Sequence, residues 1–335
     1  SIDAIKGAAI LLVMFGHVFV HNHMEDPYVY DFIKAVQMPL FMIISGYLCG
    51  QRKKISKIKE YVKVLGKRAM AYLIPFFVWL SIMHMEDIFG AYKKVFLQLD
   101  YGLWFLAVLF ILTFMIYTAQ LIASLFVRKK QALREIVFWS VYAFFCVILV
   151  LQIFTGNLFL SPYLTIIYVP FYMLGYIVGN YGKFFLCWEN NEAGKIDCKN
   201  SRWIQGGSIV CAVAFLYLII TRNINCMETR TDVILQMFAS LLGSVAVIYG
   251  VLWMKNGTIK NIFAKIGKYT LEVYVIHYHF ANMLNFKDQQ YYLYTVSGTV
   301  FVVLSIVAMS AVTFSFIWIM KKIKVLDFLF FGKVS

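Results

Sequence analysis

The chain has 335 residues, of which 61% are apolar and 14% charged, with a mean hydropathy of +0.74. Soluble domains contain about 45–50% apolar and about 25% charged residues, so this composition excludes a water-soluble globular protein and predicts one that contacts the lipid bilayer. The net charge of +14 does not indicate a nucleic-acid partner, because the basic residues form short runs between apolar stretches.

Ten segments are long and apolar enough to cross the hydrocarbon core as helices, which takes about 20 residues each. Helices fit best because every backbone polar group must be satisfied inside lipid. No linker rich in Gly, Pro or Ser interrupts the chain. The sequence therefore predicts an all-α polytopic bundle that forms one domain over 1–335, without an appended soluble domain. The predicted spans are 4–21, 33–50, 69–86, 101–126, 136–154, 164–182, 204–221, 232–254, 269–286 and 295–320.

Lysine and arginine are distributed asymmetrically between the two sides. If the chain starts in the cytoplasm, 25 of its 31 basic residues lie on the inner side, and cytoplasmic segments of membrane proteins carry this excess. Both termini are therefore predicted to be cytoplasmic. The basic run 52–68 places Ile55, Ile58 and Tyr61 on one side, which predicts an interfacial helix. A topology anchor and contact with an anionic cofactor both remain open for this run.

The first predicted span carries Asp3, Lys6, His17 and His21 on one stripe, since Lys6 to His17 turns 20° past three full turns. Ionisable residues are costly in lipid, so this face should look into protein or a water-filled cleft. An imidazole is suited to take a proton from a hydroxyl at neutral pH, and we expect His17 to be a general base. For His21 and His23, a position at the membrane interface is the simpler interpretation.

The second span contains Ser45 and Gly46 within "MPLFMIISGYL". Gly46 permits close approach of a neighbouring helix. Ser45 is more simply explained by packing than as a nucleophile, because no His or Asp stands near it in a nucleophile motif. The fourth span begins at Trp104, where an aromatic belt at the outer interface and a binding-site wall are both consistent with the sequence.

The ninth span has two polar faces. Thr270, Tyr274 and His277 stand at i, i+4 and i+7, and Glu272 and His279 are seven residues apart. A core histidine is usually structural, but a Thr–Tyr–His face also suits a functional site. The six cysteines form no CxxC pattern, so neither a disulfide nor a metal site is expected.

Five ordered motifs resemble the acyltransferase-3 family of ten-helix membrane acyltransferases: "IDAIKGAAILLVMFGH", "PLFMIISGYL", "LWFLAVLF", "VPFYMLGYIVG" and "IGKYTLEVYVIH". The family pairs an arginine with a histidine eleven positions later. Here these positions hold Lys6 and His17, as in a subset resembling fucose 4-O-acetylases. The family often has two arginines three apart entering the third helix. Arg68 matches the first, but the second position is Ala71.

Members of this family O-acylate cell-surface carbohydrates from cytoplasmic acyl-CoA. The resemblance implies a multi-pass enzyme of the bacterial cytoplasmic membrane that uses acetyl-CoA as donor, a polysaccharide or its lipid-linked precursor as acceptor, and no metal. The oligomeric state stays open, with a homodimer among the options. Together, the residues and the resemblance predict catalytic roles for Asp3, Lys6, His17 and His277, donor binding by Lys6, Ser45, Tyr47, Lys67 and Arg68, and acceptor binding by His21, Asp100, Trp104, Glu272 and Tyr274.

Two alternatives remain at this point. The acetyl group can pass through a covalent acyl-His or acyl-Ser intermediate instead of moving directly. A transporter or flippase for a sugar lipid or organic anion also suits ten helices with buried His and Glu, although the sequence shows no inverted repeat. The outer rim is rich in tyrosines and carboxylates that suit a sugar, but an aromatic belt explains the tyrosines equally well. These rim residues are Tyr28, Tyr30, Asp31, Asp100, Trp104, Tyr291, Tyr292 and Tyr294.

Overall fold

The computed structural model describes residues 1–22, 27–127, 130–181, 198–222, 229–281 and 294–333. All regular elements within these ranges are helices, which confirms the all-α polytopic bundle. The predictions for His23, Tyr291 and Tyr292 lie outside the described residues.

Nine helices in the described ranges are long and apolar enough to cross a membrane. Between and after them lie four shorter helices and two 3₁₀ turns. The long helices are α1 (Ile2–His21), α2 (Pro27–Gly50), α3 (Ile58–Met83), α5 (Trp104–Phe126), α6 (Gln131–Phe154), α7 (Pro162–Tyr181), α8 (Cys198–Thr221), α9 (Arg230–Trp253) and α12 (Val296–Met320). The shorter ones are α4 (Ile88–Leu97), α10 (Thr258–Gly267), α11 (Thr270–Ile276) and α13 (Lys324–Phe331), and the 3₁₀ turns are Leu99–Tyr101 and His277–Phe280.

The predicted ninth span does not form one long α-helix in the part of it that is described. Helix α11 is seven residues long, and at His277 the chain tightens into the 3₁₀ turn that ends at Phe280. The hydroxyl of Thr270 donates to the carbonyl of Gly267 at 2.5 Å, where the preceding helix α10 ends. The change from α-helical to 3₁₀ geometry therefore occurs at a buried histidine.

The basic run 52–68 does not form a separate interfacial helix, so that prediction is wrong. Residues 51–57 are irregular, and Ile58 begins the same helix α3 that continues to Met83. Ile55 is buried and its N–H donates to Gln120 Oε1 at 3.1 Å. Ile55 therefore packs against protein, because the segment before α3 is tied to α5, whereas Ile58 stays exposed.

Helices α2 and α7 pack with their backbones in contact. A Cβ added at Gly46 would lie 1.9 Å from the carbonyl oxygen of Tyr172, and one added at Gly175 would lie 1.9 Å from that of Ile43. Small residues drive helix association in lipid because they let backbones approach closely. The contact is reciprocal, and it confirms the prediction for Gly46.

The first half of α1 is fixed in the same manner against α10. A Cβ at Gly267 would lie 1.7 Å from the carbonyl oxygen of Asp3, and one at Gly7 would lie 1.9 Å from that of Phe263. Because α10 leads directly into α11, this packing brings the second half of α1 alongside the segment that carries His277.

Candidate active site

The side chains of His17 and His277 meet in the bundle interior, with ring centroids 5.0 Å apart. His277 is 1% exposed, and its Nδ1–H donates to the carbonyl of Val273 at 2.8 Å. A carbonyl only accepts, so this bond fixes the tautomer and leaves the lone pair on Nε2. That Nε2 is buried and has no hydrogen-bond partner among the described residues. The pair therefore offers a proton-accepting nitrogen.

Aromatic rings complete this histidine cluster. The Tyr278 ring meets His17 edge-on at 5.2 Å and His21 at 5.0 Å. The structure thus brings His21 to the site, whereas the sequence favoured an interfacial position for it. On the other side, Tyr274 lies 6.2 Å from His277 between ring centroids.

Asp3 and Lys6 form an ion pair of 2.6 Å near the start of α1. A rise of 1.5 Å per residue puts Lys6 about 16 Å from His17 along the helix axis. The predicted stripe on α1 therefore contains two separate features, an ion pair at one end and an imidazole cluster at the other. Neither charged residue is a direct partner of His17.

A second polar site is a cavity of about 330 Å³ between α2, α3, α5 and α7. Two guanidinium groups reach it, Arg52 from the irregular segment after α2 and Arg68 from α3. Arg68 Nη1 donates to Tyr72 Oη at 3.0 Å. The hydroxyl of Tyr117, a residue that is 2% exposed, is buried against this cavity without a partner in the described residues. Its polar lining comprises Ser45, Gln51, Arg52, Arg68, Tyr72, Thr113, Tyr117 and Tyr172.

Arg52 is a candidate that the sequence did not single out. The second arginine of the resembled motif is replaced by Ala71, and Ala71 packs against Gly332 and is not part of the cavity lining. Arg52 was visible only as one member of a basic run. Its placement depends on how the 51–57 segment folds back, which residue spacing does not reveal.

The segment that carries Arg52 is bonded directly to two helices, α5 and α6. Besides the bond from Ile55 N–H to Gln120, Gln120 Nε2 donates to Tyr176 Oη at 3.0 Å. Lys54 forms an ion pair of 2.5 Å with Glu135. These anchors on α5 and α6 fix the segment just after Arg52 and so limit where its side chain can reach.

Two residues predicted to bind the donor lie elsewhere. Lys67 is exposed and does not line the cavity. Tyr47 lies two residues from Ser45, about 200° around α2, where it lines an apolar cavity of about 290 Å³ and accepts a hydrogen bond of 2.6 Å from Gln51 Nε2. Ser45 and Arg68 are thus brought together, while Tyr47 and Lys67 are not.

Packed rings connect the arginine cavity with the histidine cluster. Phe41 lies one turn from Ser45, and its ring is 5.8 Å from that of Phe105. The Phe105 ring is in turn 5.3 Å from that of Tyr274, which adjoins His277. Three rings in series, those of Phe41, Phe105 and Tyr274, therefore lie between the two sites.

The outer rim is built on the first turns of α5. Trp104 is half-buried and stacks on Tyr168 at 5.2 Å, and Asp100 is exposed on the preceding 3₁₀ turn. Leu99 N–H donates to Ser161 Oγ at 2.9 Å, where Leu160 and Ser161 have φ of 60° and 44°. Two consecutive non-glycine residues at positive φ are strained, and such strain clusters at functional sites.

Glu272 does not face this rim. It is 1% exposed and forms ion pairs with Lys321 and Lys333. The prediction that Glu272 binds the acceptor is therefore corrected, since both of its partners come from the bundle itself.

If the rim binds a sugar, Trp104→Ala and Asp100→Asn are each expected to raise the acceptor KM several-fold. Hydrolysis of the donor without acceptor and the donor KM should stay unchanged, because both residues lie away from the arginine cavity. Steady-state kinetics with varied acceptor measures this. Thermal stability in detergent is the control: lower stability without selective loss of acceptor use would assign Trp104 and Asp100 to helix anchoring instead.

Comparison with known proteins adds a family match to this geometry. A family model described as an acyltransferase domain matches residues 1–320. The nodulation protein NolL of Sinorhizobium fredii (strain NBRC 101917 / NGR234) is 27% identical over 184 residues, which cover 53% of this chain and 48% of that protein. NolL of Mesorhizobium japonicum (strain LMG 29417 / CECT 9101 / MAFF 303099) is 27% identical over 186 residues, covering 53% and 47%. The chain thus spans about half the length of the curated relatives it matches. No solved structure matches.

Proposed function

Because the chain belongs to the acyltransferase-3 family, whose model matches residues 1–320, we propose that it transfers an acetyl group from acetyl-CoA to a carbohydrate hydroxyl. The observation that carries this proposal is the contact between the partly buried His17 and the buried His277, whose Nε2 is unpartnered in the described residues, on the same bundle as a cavity lined by two arginines. A proton acceptor and an anion site in one bundle suit a thioester donor that carries phosphates on one end.

The arginines are proposed to hold the phosphates of the donor. Guanidinium groups form paired, charge-assisted hydrogen bonds with phosphate oxygens, and Arg52 and Arg68 approach the cavity from two different elements. The ammonium of Lys6 is already paired with Asp3 and does not line this cavity. We therefore assign donor binding to the two arginines and Ser45 in place of Lys6.

His17 is proposed as the general base. His277, whose tautomer is fixed by its bond to the carbonyl of Val273, lies beside it. The acceptor hydroxyl oxygen forms a bond to the acyl carbon, its proton passes to the imidazole, and the carbon–sulfur bond of the thioester breaks. The CoA thiolate leaves and takes up that proton, so the base is regenerated. His21 and Tyr278 contact the His17 ring and restrict its orientation.

The acceptor is proposed to be a cell-surface polysaccharide or its lipid-linked precursor, modified at the cytoplasmic membrane of a bacterium. The aromatic and acidic rim around Asp100 and Trp104 supports a carbohydrate, and the rhizobial relatives support a bacterial setting. Nine long apolar helices among the described residues support a multi-pass location.

The test uses the purified protein in detergent or nanodiscs with acetyl-CoA labelled in the acetyl group. We expect slow release of CoA alone and faster release when a polysaccharide fragment is added, with label recovered on the fragment as an alkali-labile ester. Absence of both hydrolysis and transfer, together with uptake of a sugar lipid in proteoliposomes, would support the transporter alternative instead.

A further inference from the structure

A buried carboxylate on α11 is held by two ammonium groups from different parts of the chain. Glu272 is 1% exposed, Lys321 Nζ lies 3.2 Å from its Oε1, and Lys333 binds the same oxygen. Lys321 follows α12, and Lys333 follows α13. This cluster of three side chains therefore joins α11 to the end of α12 and to the residues that follow α13.

Within this cluster the ammonium of Lys321 is held in its charged form. Burial by itself lowers the pKa of Lys321, but the carboxylate of Glu272 outweighs it and raises that pKa above the ordinary value. A raised lysine pKa means that the pairing is fully present at neutral pH and is lost only as the pH rises through the raised pKa. Removing one partner of a buried ion pair is costly because it leaves an uncompensated charge.

Helix α13 continues this connection to α3. Trp79 Nε1 donates to the carbonyl of Phe330 at 3.3 Å, and Phe331 is fully buried. The same indole stacks on His279 at 4.7 Å, two residues beyond His277. Residues 324–333 thus contact α3, the helix that carries Arg68. They are also connected to the chain before His277, where Lys333 pairs with Glu272, and to the chain after it, where Trp79 stacks on His279.

We infer that Glu272 is a positioning residue, which through Lys321 and Lys333 holds α11 in the place where His277 faces His17. Glu272 lies five residues before His277, and the intervening α11 is a single short helix whose carbonyl of Val273 also fixes the His277 tautomer. Without the charged anchor, a helix of seven residues has too few internal hydrogen bonds to hold its place alone. This inference rests on the proposed function for its kinetic part, and a displacement of about 1 Å at a catalytic group is enough to cost about 10²-fold in rate.

The experiment compares Glu272→Gln with wild type in two independent measurements. The first is acetyl transfer, where we expect kcat to fall about 10-fold or more while the donor KM stays within about 2-fold, since the arginine cavity is separate. The second is limited trypsin cleavage after Lys324 in the folded protein, where loss of the anchor should speed cleavage as α13 loosens. Lys333→Met should show the same changes to a smaller degree because Lys321 remains, and Lys333→Arg should restore wild-type values.

The matched control is Lys322→Met, which removes an adjacent cation that lies over Trp318 outside the cluster. Its kcat and KM should be unchanged. Wild-type kcat in Glu272→Gln, or an equal fall in kcat for the control, overturns the inference. If Glu272→Gln does not fold, Lys333→Met against Lys333→Arg decides in its place. If wild type transfers no acetyl group, the proposed function fails. The trypsin cleavage rates then decide alone whether Glu272 holds α13, and equal rates for wild type and Glu272→Gln overturn that role.

Discussion

Replacing His17 with alanine is expected to lower acetyl transfer by about 10²-fold or more, because a positioned general base contributes about 10²–10⁴-fold to such a reaction. His17→Gln should be equally impaired, since an amide keeps hydrogen bonding but does not take up the proton. Neither change should alter the donor KM or the thermal stability, because the His17 ring is only partly buried and contacts mainly other rings. Steady-state kinetics with varied acetyl-CoA and thermal unfolding in detergent measure these quantities.

His277→Ala provides the comparison that separates the two imidazoles. If His17 is the base, His277→Ala should retain more activity than His17→Ala, and the double variant should be no worse than His17→Ala alone, because groups that act as a unit are not additive. A near-normal rate for His17→Ala with an inactive His277→Ala would reassign the base to the unpartnered Nε2 of His277.

Removing either arginine of the cavity is expected to raise the donor KM about 10-fold or more. A hydrogen bond to a charged group contributes about 1.5–3 kcal/mol, and each 1.4 kcal/mol corresponds to a factor of 10. We expect Arg68→Ala to have the larger effect, since its side chain is half-buried and oriented by Tyr72, whereas Arg52 is more exposed. Lysine at either position should recover part of the loss, because it keeps the charge but not the paired donors.

A donor without nucleotide phosphates gives this prediction its sharpest control. With acetyl-pantetheine, wild type, Arg52→Ala and Arg68→Ala should have the same KM. Lys63→Ala, which removes an exposed cation from the same end of α3, should behave as wild type with both donors. If the arginine variants lose as much with acetyl-pantetheine as with acetyl-CoA, the cavity does not bind phosphates.

The sequence was most informative about features set by helical periodicity and membrane thickness. The spans are long apolar runs, and an ionisable stripe on the first of them marks a face that cannot meet lipid. The structure does place His17 and His21 on one such face, and Gly46 at a backbone contact. These features depend on residues within one helix, so spacing alone is sufficient to find them.

The features that the sequence missed depend on contacts between distant segments. Arg52 reaches the cavity because Ile55 is tied to Gln120, 65 residues away. Glu272 was grouped with His279 from their spacing, but its charge is satisfied by Lys321 and Lys333, which lie 49 and 61 residues further along the chain. A single sequence does not show such pairings. The change to a 3₁₀ turn at His277 was missed for another reason: an apolar segment is predicted as one helix whatever its inner geometry.

The backbone contact between α2 and α7 has a mechanical consequence. Ser45 and Tyr172 lie beside it and form two walls of the arginine cavity, and helices that touch through their backbones leave no layer of side chains in which to slide. Those two walls therefore keep a fixed position relative to each other. The remaining walls include Gln51 and Arg52 from the irregular segment 51–57 and Arg68 and Tyr72 from α3. Any change in the shape of the cavity has to come from these walls, and on the Arg52 side it is limited by the bonds that hold Lys54 to α6 and Ile55 to α5.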